Sequence, residues 1–83
     1  MKTREVFRKF AIQNGFNTKI YIDSSTFVHM RNIGGCFADS NMWAVYETDE
    51  NGTVQNITFH CSEALAYCDL ARRFGYDFRP FVT

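Results

Sequence analysis

The sequence predicts an α+β domain: an N-terminal helix, a three- to four-stranded antiparallel sheet with a central hairpin, and a C-terminal helix packed on one face. Three observations carry this reading. Apolar residues recur at helical spacing near both ends of the chain, and the period changes to two in the middle. Between two β-rich runs lies Asp49-Glu50-Asn51-Gly52, a hairpin signal. The 83 residues contain no repeat, low-complexity tract or linker, so residues 1–83 read as a single domain.

Thr3 to Asn14 is expected to be helical, because Val6, Phe7, Phe10 and Ala11 fall on one face while Arg4, Arg8 and Lys9 take the others. Gly15 supplies the left-handed residue that ends such a helix, and Phe16 is placed to fold back onto Phe10 or Ala11. Thr18 to Ile22 alternates, with Ile20 and Ile22 on one face and Lys19 and Tyr21 on the other, which predicts a strand. Asp23-Ser24-Ser25 then reads as a turn, and Thr26 to Arg31 as a second strand. The stretch from Ile33 to Asn41 contains Gly34-Gly35 and reads as a loop.

Met42 to Thr48 and Thr53 to His60 form the central hairpin, with Asn51-Gly52 expected to supply the positive φ angles of a tight turn. Trp43, Val45, Ile57 and Phe59 are expected to share the core face. Ser62 is a good N-cap, and Glu63 suits the positive end of the following helix. Ala64, Tyr67, Cys68, Ala71 and Phe74 form its apolar stripe, Arg72 and Arg73 occupy the last turn, and Gly75 ends it. Tyr76 to Phe81 alternates aromatic and polar residues, as an edge strand or an extended arm would.

At 46% hydrophobic and 17% aromatic, the composition excludes a disordered chain. No apolar run approaches the ~18 residues of a membrane span, and Met1-Lys2-Thr3-Arg4-Glu5 does not open a secretory signal. A cytoplasmic protein with no membrane partner is expected, in the host cell cytoplasm if it is phage-encoded. Three irregularly spaced cysteines fit reduced thiols.

Chemistry-bearing motifs are sparse. Cys36, His60, Cys61 and Cys68 lack metal-ligand spacing, and no recognisable motif surrounds a Cys36 or Cys61 nucleophile paired with His29 or His60. No phosphate-binding loop follows Gly34-Gly35. The expectation is therefore a protein without enzymatic activity, catalytic residues, metal or cofactor.

Net charge is zero, yet the charges are segregated: residues 1–31 carry +4, residues 32–71 carry −6 with no Lys or Arg, and residues 72–83 carry +2. Carboxylates on a projecting turn attract basic partners. Asp39, Glu47, Asp49 and Glu50, with Tyr21 and Tyr46 as aromatic anchors, are thus the candidate surface for a protein partner, such as a nucleic-acid-binding effector complex. The alternative is a small nucleic-acid-binding module using Lys2, Arg4, Arg8, Lys9, Arg72 and Arg73. Fourteen aromatic rings exceed what one small core absorbs, so some of Phe27, Phe37, Phe78, Phe81, Tyr46 and Tyr76 are expected to be exposed or covered by another chain. Self-association through a sheet edge or the C-terminal arm is the simplest form of this.

The helix–strands–helix order is similar to that of double-stranded RNA-binding domains, although Phe59-His60-Cys61-Ser62-Glu63-Ala64 replaces their Gly- and Lys-rich lead-in to the last helix. Trp43, Asn51-Gly52, Phe59 and Ser62-Glu63-Ala64 also resemble the sheet-plus-helix modules at phage integrase N-termini, but this hairpin is acidic where theirs is basic. In size, architecture and surface character the chain resembles the small anti-defence inhibitors of phages and mobile elements, anti-CRISPR proteins in particular. That resemblance implies a small inhibitor that acts by binding, with an acidic surface competing with nucleic acid for an effector complex.

Overall fold

A computed structural model describes residues 2–22 and 26–82. It contains helix α1 (Thr3–Gln13), strands β1 (Ile20–Ile22), β2 (Gly34–Asp39), β3 (Met42–Thr48) and β4 (Val54–His60), and helix α2 (Glu63–Arg73). Short 3-10 turns occupy Asn17–Lys19 and Arg79–Phe81. The expected turn at Asp23-Ser24-Ser25 lies outside the described residues. The strands lie in the order β1-β2-β3-β4, with α2 packed on one face. The α+β class holds, but the sheet is mixed: β1 runs parallel to β2, and the other neighbours are antiparallel.

Both helices end in the same way. Phe16 N–H donates to the Ala11 carbonyl and Gly15 N–H to that of Ile12, while Tyr76 and Gly75 do the same to Ala71 and Arg72. Gly15 and Gly75 have φ of 78° and 86°, the left-handed conformation that this ending needs. The two endings clasp each other. The Phe16 ring stacks on Phe74 at 5.1 Å and on Tyr76 at 4.9 Å, and the Tyr76 hydroxyl donates to the Asn14 carbonyl. Phe7 stacks on Tyr67 at 4.8 Å, so the helices advance side by side over the sheet. Ser62 caps α2 as expected, its hydroxyl accepting from Leu65 N–H. The buried stripe of α2 is Ala66, Tyr67, Leu70 and Ala71, turned slightly from the expected one, with Cys68 and Phe74 at its margins.

The Gly-Gly stretch read as a loop is β2. A Cβ on Gly34 would lie 2.8 Å from Phe74 Cε2 and 2.9 Å from Leu70 Cδ1, and one on Gly35 would overlap the Tyr46 ring. These glycines thus mark a strand flanked by large side chains on both faces, which is the other meaning of glycine in a sheet. Conversely, residues 26–31, expected to be a strand, cross the sheet face opposite the helices without strand pairing. Side chains of β3 tie this segment down. Val28 N–H donates to the Tyr46 hydroxyl, and the Thr48 hydroxyl donates to the Met30 carbonyl while accepting from Ile33 N–H.

That strap creates a second, smaller core, where Phe27 and Val54 pack on Phe37, Ala44 and Tyr46. Two cores explain where the aromatic rings go. Phe37, Tyr46 and Phe78 are buried, whereas Tyr76 and Phe81 remain exposed. The C-terminal tail is an arm rather than an edge strand, anchored by Phe78, which meets Phe7 edge-on at 5.0 Å.

Hairpin register decides the outer surface. Near the turn, Thr48 pairs with Val54 and Glu47 with Gln55. Continued unbroken, that register would set Val45 opposite Ile57 and Trp43 opposite Phe59, placing all four in the helix-side core. Instead a bulge at Asn56, with φ of 55°, shifts β4 by one residue, so that Ala44 faces Phe59 and Trp43 faces His60. A one-residue shift exchanges the faces of a strand. Trp43 and Val45 keep their expected core positions, while Ile57 and Phe59 turn to the opposite face, 44% and 50% exposed.

Candidate functional site

The face of β3 and β4 turned away from the helices carries Met42, Ile57 and Phe59, all exposed. Asp39 pairs with Met42 at one end of this apolar strip, beside the β2–β3 turn. The β3–β4 turn closes the other end, with Glu50 exposed at its tip. That tip is ordered from within: Asp49 Oδ1 accepts from the N–H groups of Asn51 and Thr53, and Gly52 N–H donates to the Asp49 carbonyl. Gly52 has φ of 84°, but Asn51 does not adopt positive φ, so one residue and not two supplies that geometry.

The six residues expected to engage a protein partner therefore separate. Asp39, Glu50 and Tyr21 are exposed, and Asp49 is committed to its own turn. Glu47 faces α2 and pairs with Arg73 at 3.1 Å. Tyr46 is 1% exposed and accepts from Val28 N–H, so it is a core residue and not a surface anchor. Met42 alternates with the core residues Trp43 and Val45 and lies outward as that spacing implies, whereas sequence reasoning placed Ile57 and Phe59 in the core. A signal existed for the last two: Asn56 sits mid-strand, where asparagine is disfavoured except at a left-handed kink.

On the helix side, Arg73 fastens the bulge. Its guanidinium donates to the Asn56 carbonyl at 2.6 Å and to the Thr58 hydroxyl at 2.8 Å. The same group pairs with Asp69, whose carboxylate also meets Arg72 at 2.7 Å and His60 Nε2 at 2.8 Å. Burial pushes the Asp69 carboxyl upward, but hydrogen bonds from Arg73, His60 and Arg72 outweigh it and hold the group below its ordinary value of 3.8. A buried carboxylate with three cationic or donor partners is a fixed anion. It orients Arg73, and Arg73 in turn holds the register that exposes Ile57 and Phe59.

The six basic residues of the nucleic-acid reading do not form one face. Arg73 is enclosed in this network at the β4 edge, with Arg72 beside it on Asp69. Arg8 borders the β1 edge, across a sheet whose four strands span ~14 Å. Arg4 is half-buried near Tyr67, while Lys2 and Lys9 lie on the exposed side of α1.

The thiols are not assembled into a site. Cys36 is buried in the main core, where burial, with Glu63 adding to it, pushes its thiol up to about 12. Burial also raises Cys68, and Cys61 is exposed. His29 reaches the Gly52 carbonyl on the opposite face of the sheet from Cys36. Among the described residues, no group of three or more His, Cys, Asp or Glu side chains is placed to hold a metal ion. Among them, too, no helix is long and apolar enough to cross a membrane.

Compared with known proteins, the chain matches no family model, no curated protein and no solved structure.

Proposed function

We propose that this chain is a non-enzymatic binding protein of the inhibitor type, which captures a basic protein surface on the part of the outer β3–β4 face that the 26–31 strap leaves exposed. The observation that carries this reading is the Asn56 bulge, which turns Ile57 and Phe59 outward although their spacing suits the core. Bulges re-aim side chains near functional sites, and this one is secured by the half-buried Arg73. The strip is flanked by Asp39 and Glu50 and belongs to a segment, residues 32–71, without Lys or Arg. An apolar centre with an acidic rim suits a partner that presents apolar side chains among Lys and Arg. The basic, nucleic-acid-contacting surface of an effector complex, as engaged by anti-CRISPR-type inhibitors, has this chemistry.

Immobilised protein should retain basic proteins from a bacterial lysate, and less of them as salt rises. Asp39→Lys with Glu50→Lys, and separately Phe59→Ser, should each abolish that retention while leaving the fold intact, because all three side chains are exposed. Equal retention by wild type and both variants overturns the reading.

A further inference from the structure

Away from that face, a groove of about 410 Å³ runs between α1 and the outer edge of β1. Its apolar lining includes Ala11, Ile12, Ile20 and Ile22, and its polar lining Arg8 and Asn17. Three properties set it apart from an ordinary surface depression. Ile12 is 63% exposed, the largest exposure of any large hydrophobic among the described residues. Arg8 stands one helical turn before Ile12, on the same stripe, and forms no ion pair among the described residues. Finally, among the described residues β1 has a strand neighbour on one side only, so its other edge presents backbone groups beside the groove.

An open strand edge beside a helix is the geometry in which extended peptides bind by adding a strand, with alternate side chains dropping into the groove. Alternation sets the spacing: residues two apart on the added strand face the same side. Arg8 calls for a carboxylate, and the wall formed by Ile12, Ile20 and Ile22 calls for an aliphatic side chain. Among the described residues, Arg8 is the one charged side chain that lines the groove. We infer that the α1–β1 groove binds an extended acidic peptide segment as a fifth strand on β1, taking an aliphatic residue against Ile12 and, two positions away, an Asp or Glu at Arg8. This site is independent of the β3–β4 face and its partner is of opposite charge, so either can fail without the other.

The test is an NMR titration of the full ¹⁵N-labelled chain with the blocked peptide Ac-Ser-Glu-Thr-Ile-Ser-NH₂. Two controls replace its Glu by Lys or its Ile by Ser. The acidic peptide should shift the amides of Ile20, Tyr21 and Ile22 together with those of Arg8 to Ile12. Each control should bind about tenfold more weakly or worse, and Arg8→Glu should reverse the preference between the Glu and Lys peptides. Arg8 and Ile12 are both exposed, so Arg8→Glu and Ile12→Ser should keep the dispersed spectrum of the folded chain, and Ile12→Ser should lose binding. Shifts that avoid β1, equal binding of the three peptides, or an unchanged preference in Arg8→Glu each overturn the assignment.

Discussion

Gly35→Ala tests the packing argument for β2 most directly. The new methyl group would overlap the Tyr46 ring at Cζ, Cε1 and the hydroxyl oxygen. Tyr46 is 1% exposed and wedged between Phe27 and Phe37, with ring centroids at 5.1 and 6.0 Å, so it has little room to retreat. Overpacking of this severity costs about 3 kcal/mol. Moving the ring also breaks the hydrogen bond from Val28 N–H, worth about 1 kcal/mol. Against these, replacing glycine in a strand recovers ~0.5–1 kcal/mol of backbone entropy. The net loss is about 3 kcal/mol, or ~15 °C in melting temperature for a domain of this size. Urea unfolding followed by circular dichroism gives the free energy directly. Tyr46→Leu should itself destabilise, yet adding Gly35→Ala to it should cost much less than 3 kcal/mol, because the obstructing ring is gone. If Gly35→Ala alone stays within about 0.5 kcal/mol of wild type, Gly35 is not enclosed by Tyr46 and the account of β2 is refuted.

Asp69→Asn should destabilise by about 3 kcal/mol, since it strips charge from a buried cluster that contains Arg73. The wild-type Asp69 contribution, from a carboxyl held below 3.8 in the fold, is present above that value and is lost as the pH falls through the lower folded value; acid unfolding curves should lose this component in the variant. The Tyr67 hydroxyl is buried without a hydrogen-bond partner among the described residues, so Tyr67→Phe should be neutral or stabilising by up to ~1 kcal/mol in the same urea assay. A neutral-pH pulse of iodoacetamide, read by peptide mass spectrometry, should label Cys61 in the native protein and reach Cys36 only after denaturation.

Much of the fold was readable because it depends on neighbours in sequence. Both helices, their glycine endings and the Ser62 cap rest on contacts within five residues, and the pattern from Thr3 to Phe16 or Ser62 to Gly75 contains them whole. The hairpin was equally plain, since its turn carries its own instructions in Asp49 and Gly52. Reading failed where one residue serves a distant one. Gly34-Gly35 has the local signature of a loop, and only Leu70, Phe74 and Tyr46 make it a strand. Alternation in Thr26 to Arg31 suggested a strand, yet its polar backbone found the side chains of Tyr46 and Thr48 instead.

The candidate surfaces divide along the same line. The charge separation behind the proposed basic partner is a property of the chain alone: residues 32–71 hold six carboxylates and no Lys or Arg however the chain folds. Which of them reach a partner is not. Tertiary contacts consumed Glu47 in an ion pair and Asp49 in a turn, enclosed Tyr46 beneath the strap, and left Asp39 and Glu50 outside. Most consequential is Arg73 on Asn56, seventeen residues away, which holds the bulge that sends Ile57 and Phe59 outward. Local pattern encodes which residues are apolar and how often they recur, but the face they occupy depends on strand register, and a single residue in one long-range pairing reverses it.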